Sequence, residues 1–148
     1  MRPEWIDYNG HLSEAYYVLV FGHATDALMD RTGMGPEYRE STGCSLYTVE
    51  AHIRYLRDVP EGASLAVDTR VLGIATKKAH FAHEMHVVGG PRADPEPGAE
   101  PVATTELFAL HVDRKAGRAA PFPDEVRFAL TALVEQAPPW AGRAIAPV

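Results

Sequence analysis

Asp7, Asn9 and His11 place a carboxylate, an amide and an imidazole at every second position of one short stretch. That set offers a base or nucleophile, an amide donor and an acid–base group to a single bound molecule. Gly10, between Asn9 and His11, lets the backbone approach a ligand closely. A helical pattern begins directly afterwards, and the unpaired N–H groups and positive dipole end of such a helix favour a developing oxyanion. These are the parts that hydrolysis of an acyl group requires, with the backbone N–H groups around Gly10 to Leu12 as the nearest donors. A plainer account of Asp7 and Asn9 is a turn into the helix, where Asx side chains are favoured. For an isolated Asp-x-Asn pair that account is the favoured one.

Trp5, Tyr8, Tyr16, Tyr17 and Tyr47 supply aromatic surface near this stretch, and Glu14 and Glu50 are further carboxylates. Tyr16 and Tyr17 also suit a core, since helical spacing turns at least one of them inward. Glu50 shares an alternating polar face with His52 and Arg54, which fits a solvated or subunit-facing ion network as well as catalysis. His80, His83 and His86 recur at steps of three. In a strand, His83 then faces away from the other two, and no Cys or carboxylate set completes a zinc site. No metal is expected.

The elements that position these residues follow from periodicity. Over 13–31, Tyr17, Phe21, Ala24 and Leu28 trace one helical face, widened by Tyr16, Val20 and Ala27. Ser13 is the expected N-cap and Gly33 the stop. So apolar a helix is expected to be wrapped by other structure. A loop with Gly33, Gly35, Pro36 and Gly43 follows, then strand patterns over 45–56, 64–72, 78–88 and 102–112. Simple alternation in the first strand puts Tyr47, Val49, Ala51, Ile53 and Tyr55 on one face. Residues 89–101 read as an exposed hairpin loop, and a short helix is expected over 124–134. Consecutive strands with short connections pair antiparallel, so the fold class is α+β: one long helix against one antiparallel sheet.

The chain of 148 residues suits one domain over 1–137, followed by an irregular, poorly ordered tail over 138–148. A hydrophobic content of 46% supports a real core. The net charge of −6 argues against nucleic acid and against a polybasic membrane surface. Cys44 is the one cysteine, which excludes an intramolecular disulfide and fits a reducing compartment. With no apolar run of about 18 residues and no signal-peptide core, a soluble cytoplasmic location is expected.

The run Trp5-Ile6-Asp7-Tyr8-Asn9-Gly10-His11-Leu12-Ser13-Glu14-Ala15-Tyr16-Tyr17 resembles the D-x-N-x-H-x-x-x-x-Y region of the hotdog-fold acyl-CoA thioesterases related to 4-hydroxybenzoyl-CoA thioesterase. Val49 to Val59 with Gly62 resembles the next strand of that family, and Leu110-His111-Val112-Asp113 its closing strand. The resemblance implies a long helix wrapped by a curled antiparallel sheet, used as a homodimer or homotetramer. It also implies an acyl-CoA substrate with no separate cofactor, because coenzyme A is part of the substrate. Asp7 becomes the catalytic carboxylate, as base or nucleophile, with Asn9 and His11 holding the carbonyl or the water. Glu14 and Glu50 are alternatives for the carboxylate. Trp5, Tyr8, Gly10, Leu12, Glu14, Tyr16, Tyr17 and Tyr47 are the expected substrate-binding set. The motif together with Glu-x-His-Ile-Arg-Tyr-Leu is also similar to the betainyl-CoA thioesterases of bacterial carnitine breakdown. Their acyl group carries a quaternary ammonium, which aromatic faces hold well.

Two other functions stay open on the sequence. One is a hotdog hydratase or dehydratase acting on enoyl or hydroxyacyl thioesters. Those enzymes space Asp and His one residue wider, with proline between Asn and His, whereas Gly10 stands here. The other is an acyl-thioester binding domain without turnover.

Overall fold

The computed structural model describes residues 1–143 and 145. After a short 3-10 turn, Pro3–Trp5, the chain enters α1 (Glu14–Arg31), α2 (Pro36–Thr42), β1 (Cys44–Tyr55), β2 (Ser64–Ile74), β3 (Lys78–Val88), β4 (Ala103–Asp113), the two-residue β5 (Arg118–Ala119) and α3 (Asp124–Thr131). The long helix and the four main strands lie where the periodicity puts them. α2 replaces part of the expected loop. Gly35 precedes it, Pro36 opens it, Glu37 sits in its first turn and Gly43 ends it at a φ of 75°, which are the start and stop signals of a helix.

The antiparallel sheet runs β1-β4-β3-β2, with β5 pairing β4. Thus β1 has β4 as its neighbour rather than β2. The chain between β1 and β2 crosses the start of α1 instead of making a hairpin: Leu12 N–H donates to Val59 O at 2.8 Å and Glu61 N–H to Gly10 O at 3.4 Å.

Simple alternation fails in β1. Thr48 pairs with Ala109 but Glu50 pairs with Phe108, so Val49 is an extra, bulged residue. A bulge reverses the parity of everything beyond it. Ala51, Ile53 and Tyr55 therefore face α1 with Leu46, while Tyr47 joins Glu50, His52 and Arg54 on the outer face.

Two apolar clusters fill the space between helix and sheet. One gathers Leu28, Met34, Phe81, Leu107, Val126 and Leu130 around the end of α1 and α3. The other gathers Leu12, Tyr17, Phe21, Val59, Met85 and Val102 beneath the Asp7 loop. The helix is not wrapped on every side, since Val18 and Leu19 are 48% and 41% exposed.

The tail expected to be poorly ordered is anchored in its described part. Trp140 Nε1 donates to Glu84 at 2.7 Å and Gly142 N–H to Glu106 at 2.6 Å, both on the outer face. Residues 144 and 146–148 lie outside the described residues. Among the described residues no helix is long and apolar enough to cross a membrane.

Candidate active site

Ile6 and Leu12 form an antiparallel bridge, so residues 7–11 close into a tight loop. Asp7 N–H donates to His11 O at 2.9 Å and Gly10 N–H to Asp7 O at 3.0 Å. Gly10 turns the loop at a φ of 80°, a conformation that glycine adopts without strain. Asp7 Oδ1 accepts from Asn9 N–H at 2.8 Å and from His11 N–H at 3.4 Å. The turn role of Asp7 is therefore real. It occupies one carboxylate oxygen, and Oδ2 has no donor among the described residues, so the same side chain retains a free acceptor.

The N–H groups expected to face an oxyanion have acceptors within the chain. The N–H groups of Gly10, His11 and Leu12 already donate to Asp7 O, Asp7 Oδ1 and Val59 O. Ser13 N–H is likewise held by Trp5 O at 2.9 Å. Ser13 occupies the cap position without a side-chain capping bond. Beyond Gly10, the N–H groups of Glu14 and Ala15 are the first without an acceptor among the described residues, and they open the helix.

Beside this loop lies an open groove of about 790 Å³ lined by Leu12, Glu14, Tyr17, Tyr55, Leu56, Arg57 and Asp58. Tyr17 is buried, and its hydroxyl donates to Arg57 O at 3.4 Å. Its ring meets that of Tyr55 edge to face, with centroids 5.2 Å apart. Burial, then the carboxylate of Asp58 and more weakly that of Asp7, push the Tyr17 phenol above its ordinary value. Burial and the neighbouring Glu14 carboxylate do the same for Tyr55. Both phenols therefore stay neutral. Arg57 donates to Glu100 O at 2.8 Å and pairs with the Glu100 carboxylate at 3.6 Å.

The expected residues divide on this frame. Asp7, Asn9, Gly10, His11, Leu12, Glu14 and Tyr17 come together. Trp5 and Tyr16 stack on each other at 5.4 Å as packing. Tyr8 is 97% exposed and does not line the groove beside the motif. Tyr47 and Glu50 lie on the outer face, where Glu50 borders a separate groove with His52, His80 and Glu106. Tyr55 and Asp58 are the residues that sequence reasoning missed. Their local signal was only the end of a strand. A larger groove, about 810 Å³ between α1 and β2, contains none of the motif residues.

A family model described as the thioesterase-like superfamily matches residues 1–130. The chain is 42% identical over 133 residues to a betainyl-CoA thioesterase of Pseudomonas aeruginosa, covering 90% of this chain and 79% of that one. It is 43% identical over 132 residues to an L-carnitine dehydrogenase/betainyl-CoA thioesterase of Agrobacterium fabrum, of which it spans 25%. Among solved structures, a candidate thioesterase of Pseudomonas putida superposes with a TM-score of 0.80 at 37% identity, covering 100% of this chain and 92% of the other. A Staphylococcus aureus protein solved with CoA superposes with a TM-score of 0.84 at 20% identity, covering 100% and 91%, which bears on the fold alone.

Proposed function

The chain belongs to the thioesterase-like superfamily, and from that premise we propose that it hydrolyses betainyl-CoA to betaine and coenzyme A through Asp7. That it is a hotdog-fold thioesterase rests on the family and on relatives spanning most of its length. The observation that carries the substrate is the pairing of a betainyl-CoA thioesterase at 42% identity with a groove of neutral tyrosines and carboxylates beside the motif.

The thioester carbonyl oxygen accepts from the N–H groups of Glu14 and Ala15, where the helix dipole favours the charge that develops. Asp7 Oδ2 takes a proton from a water molecule as that water adds to the carbonyl carbon. The C–S bond then breaks, and the leaving thiolate recovers the proton. Alternatively Oδ2 attacks the carbonyl itself, and water hydrolyses the resulting anhydride. Label found in Asp7 after single turnover in 18O water identifies the second route, because water that attacks the aspartyl carbon of the anhydride leaves its oxygen there. Asn9 and His11 orient the substrate carbonyl or the water.

Release of free thiol from betainyl-CoA tests the function directly. The wild type is expected to release it, and the Asp7→Asn variant to do so about a hundredfold more slowly. Undiminished turnover by Asp7→Asn sinks the mechanism. A change in enoyl-CoA absorbance without thiol release points to hydration instead.

A further inference from the structure

The groove beside the motif has the chemistry of a charge reader. We infer that Tyr17, Tyr55, Glu14 and Asp58 form a box that recognises the positive charge of the acyl group and so determine its specificity. This inference rests on the thioesterase reading above.

A trimethylammonium group has no N–H to donate, so hydrogen bonds cannot identify it. Ring faces and net negative charge can. The box supplies both. Tyr17 and Tyr55 meet edge to face at 5.2 Å, and the same two side chains line the groove. Glu14 and Asp58 line it as well. Arg57, the cation among the lining residues, pairs with Glu100 at 3.6 Å and with neither Glu14 nor Asp58 among the described residues. Both phenols are held neutral, so they add ring surface without adding a titrating charge.

Position supports the same assignment. In a betainyl thioester a single methylene separates the ammonium from the carbonyl carbon. A reader of that charge must therefore sit next to the catalytic carboxylate. Leu12, next to His11 of the motif, lines the groove, and so does Glu14, the first residue of the helix that follows the motif. An acyl group bearing its own carboxylate, such as succinyl, is repelled by the same box.

The test compares betainyl-CoA with 3,3-dimethylbutyryl-CoA, in which carbon replaces the quaternary nitrogen at nearly the same shape. Specificity is the ratio of the two kcat/KM values. The wild type is expected to favour betainyl-CoA by about tenfold or more. Asp58→Asn and Tyr55→Leu each alter a partly exposed side chain, so folding is expected to survive. Each should lower the ratio several-fold, and Asp58→Glu should restore it. A wild-type ratio near unity, or a ratio unchanged in both variants, overturns the box while leaving thioester hydrolysis standing. Hydrolysis of neither ester overturns both readings.

Discussion

Asp7 has two jobs, and its two oxygens separate them. Oδ1 closes the loop through Asn9 N–H, while Oδ2 is left for chemistry. An Asp7→Asn side chain keeps an acceptor for Asn9 N–H, so the loop should survive with a stability change below about 1 kcal/mol while turnover falls. Asp7→Ala should lose both, and thermal melting beside thiol release distinguishes the cases. His83 is the second residue whose chemistry is dictated by its surroundings. It is fully buried, with Thr69 Oγ1 at 2.8 Å from Nδ1 and Thr25 Oγ1 at 3.0 Å from Nε2. Thr25 directs its own hydroxyl to Phe21 O at 3.2 Å. Nε2 therefore carries the proton and Nδ1 accepts from Thr69, which satisfies the neutral ring. Burial lowers the His83 pKa from 6.5 to about 4. The unfolded chain takes up this proton first, so the stability held above the ordinary histidine range is lost as pH falls from 6.5 to about 4. The loss is of order 3 kcal/mol. Urea unfolding should show that decline, and His83→Gln, which takes up no proton, should flatten it.

At the scale of elements, β1 and the C-terminal segment matter most. The Val49 bulge turns Tyr55 toward α1 and Tyr47 away, so a single extra residue decides which tyrosine reaches the site. The segment after α3 acts as a strap over the outer face. Glu135 N–H donates to Val71 O at 2.9 Å, and Trp140 and Gly142 reach Glu84 and Glu106. Glu84 also pairs with Arg70 at 3.2 Å, and its side chain is only 13% exposed. Trp140→Phe keeps the ring but leaves that carboxylate short of a donor. It is expected to cost about 1–3 kcal/mol in urea unfolding with turnover of the best acyl-CoA little changed. The long helix and strands were legible because their apolar spacing is a local property. α2 was missed although Gly35, Pro36 and Gly43 bracket it, because seven residues carry too little periodicity to stand out from a glycine-rich loop.

At the scale of the molecule, the sheet of a single chain ends on β1 and β2, each with one neighbouring strand. β1 pairs only with β4, and Tyr47 and Val49 there are 46% and 53% exposed. An open edge with apolar side chains is a template for pairing. We expect a second copy to cover it, giving a dimer or a higher assembly in sedimentation equilibrium. Val49→Lys, which puts a charge on that edge, is expected to shift the population toward monomer; a monomeric wild type rules the idea out.

The amino-acid order alone determined the long helix, the four main strands and the loop that carries Asp7, because periodicity and turn chemistry act over a few residues. It pointed to Tyr17 and Glu14 for the same reason, as neighbours of that loop along one helix. Only the tertiary structure decided that β1 lies against β4. That pairing sends the chain after β1 across the start of α1 and brings Tyr55 and Asp58 to the groove of Leu12 and Tyr17 from some forty residues away. Only the tertiary structure showed which N–H groups are already spent. Leu12 N–H goes to Val59 and Ser13 N–H to Trp5, so at the start of the helix the N–H groups without an acceptor among the described residues are those of Glu14 and Ala15. Both facts depend on hydrogen bonds between distant segments, which no local pattern encodes.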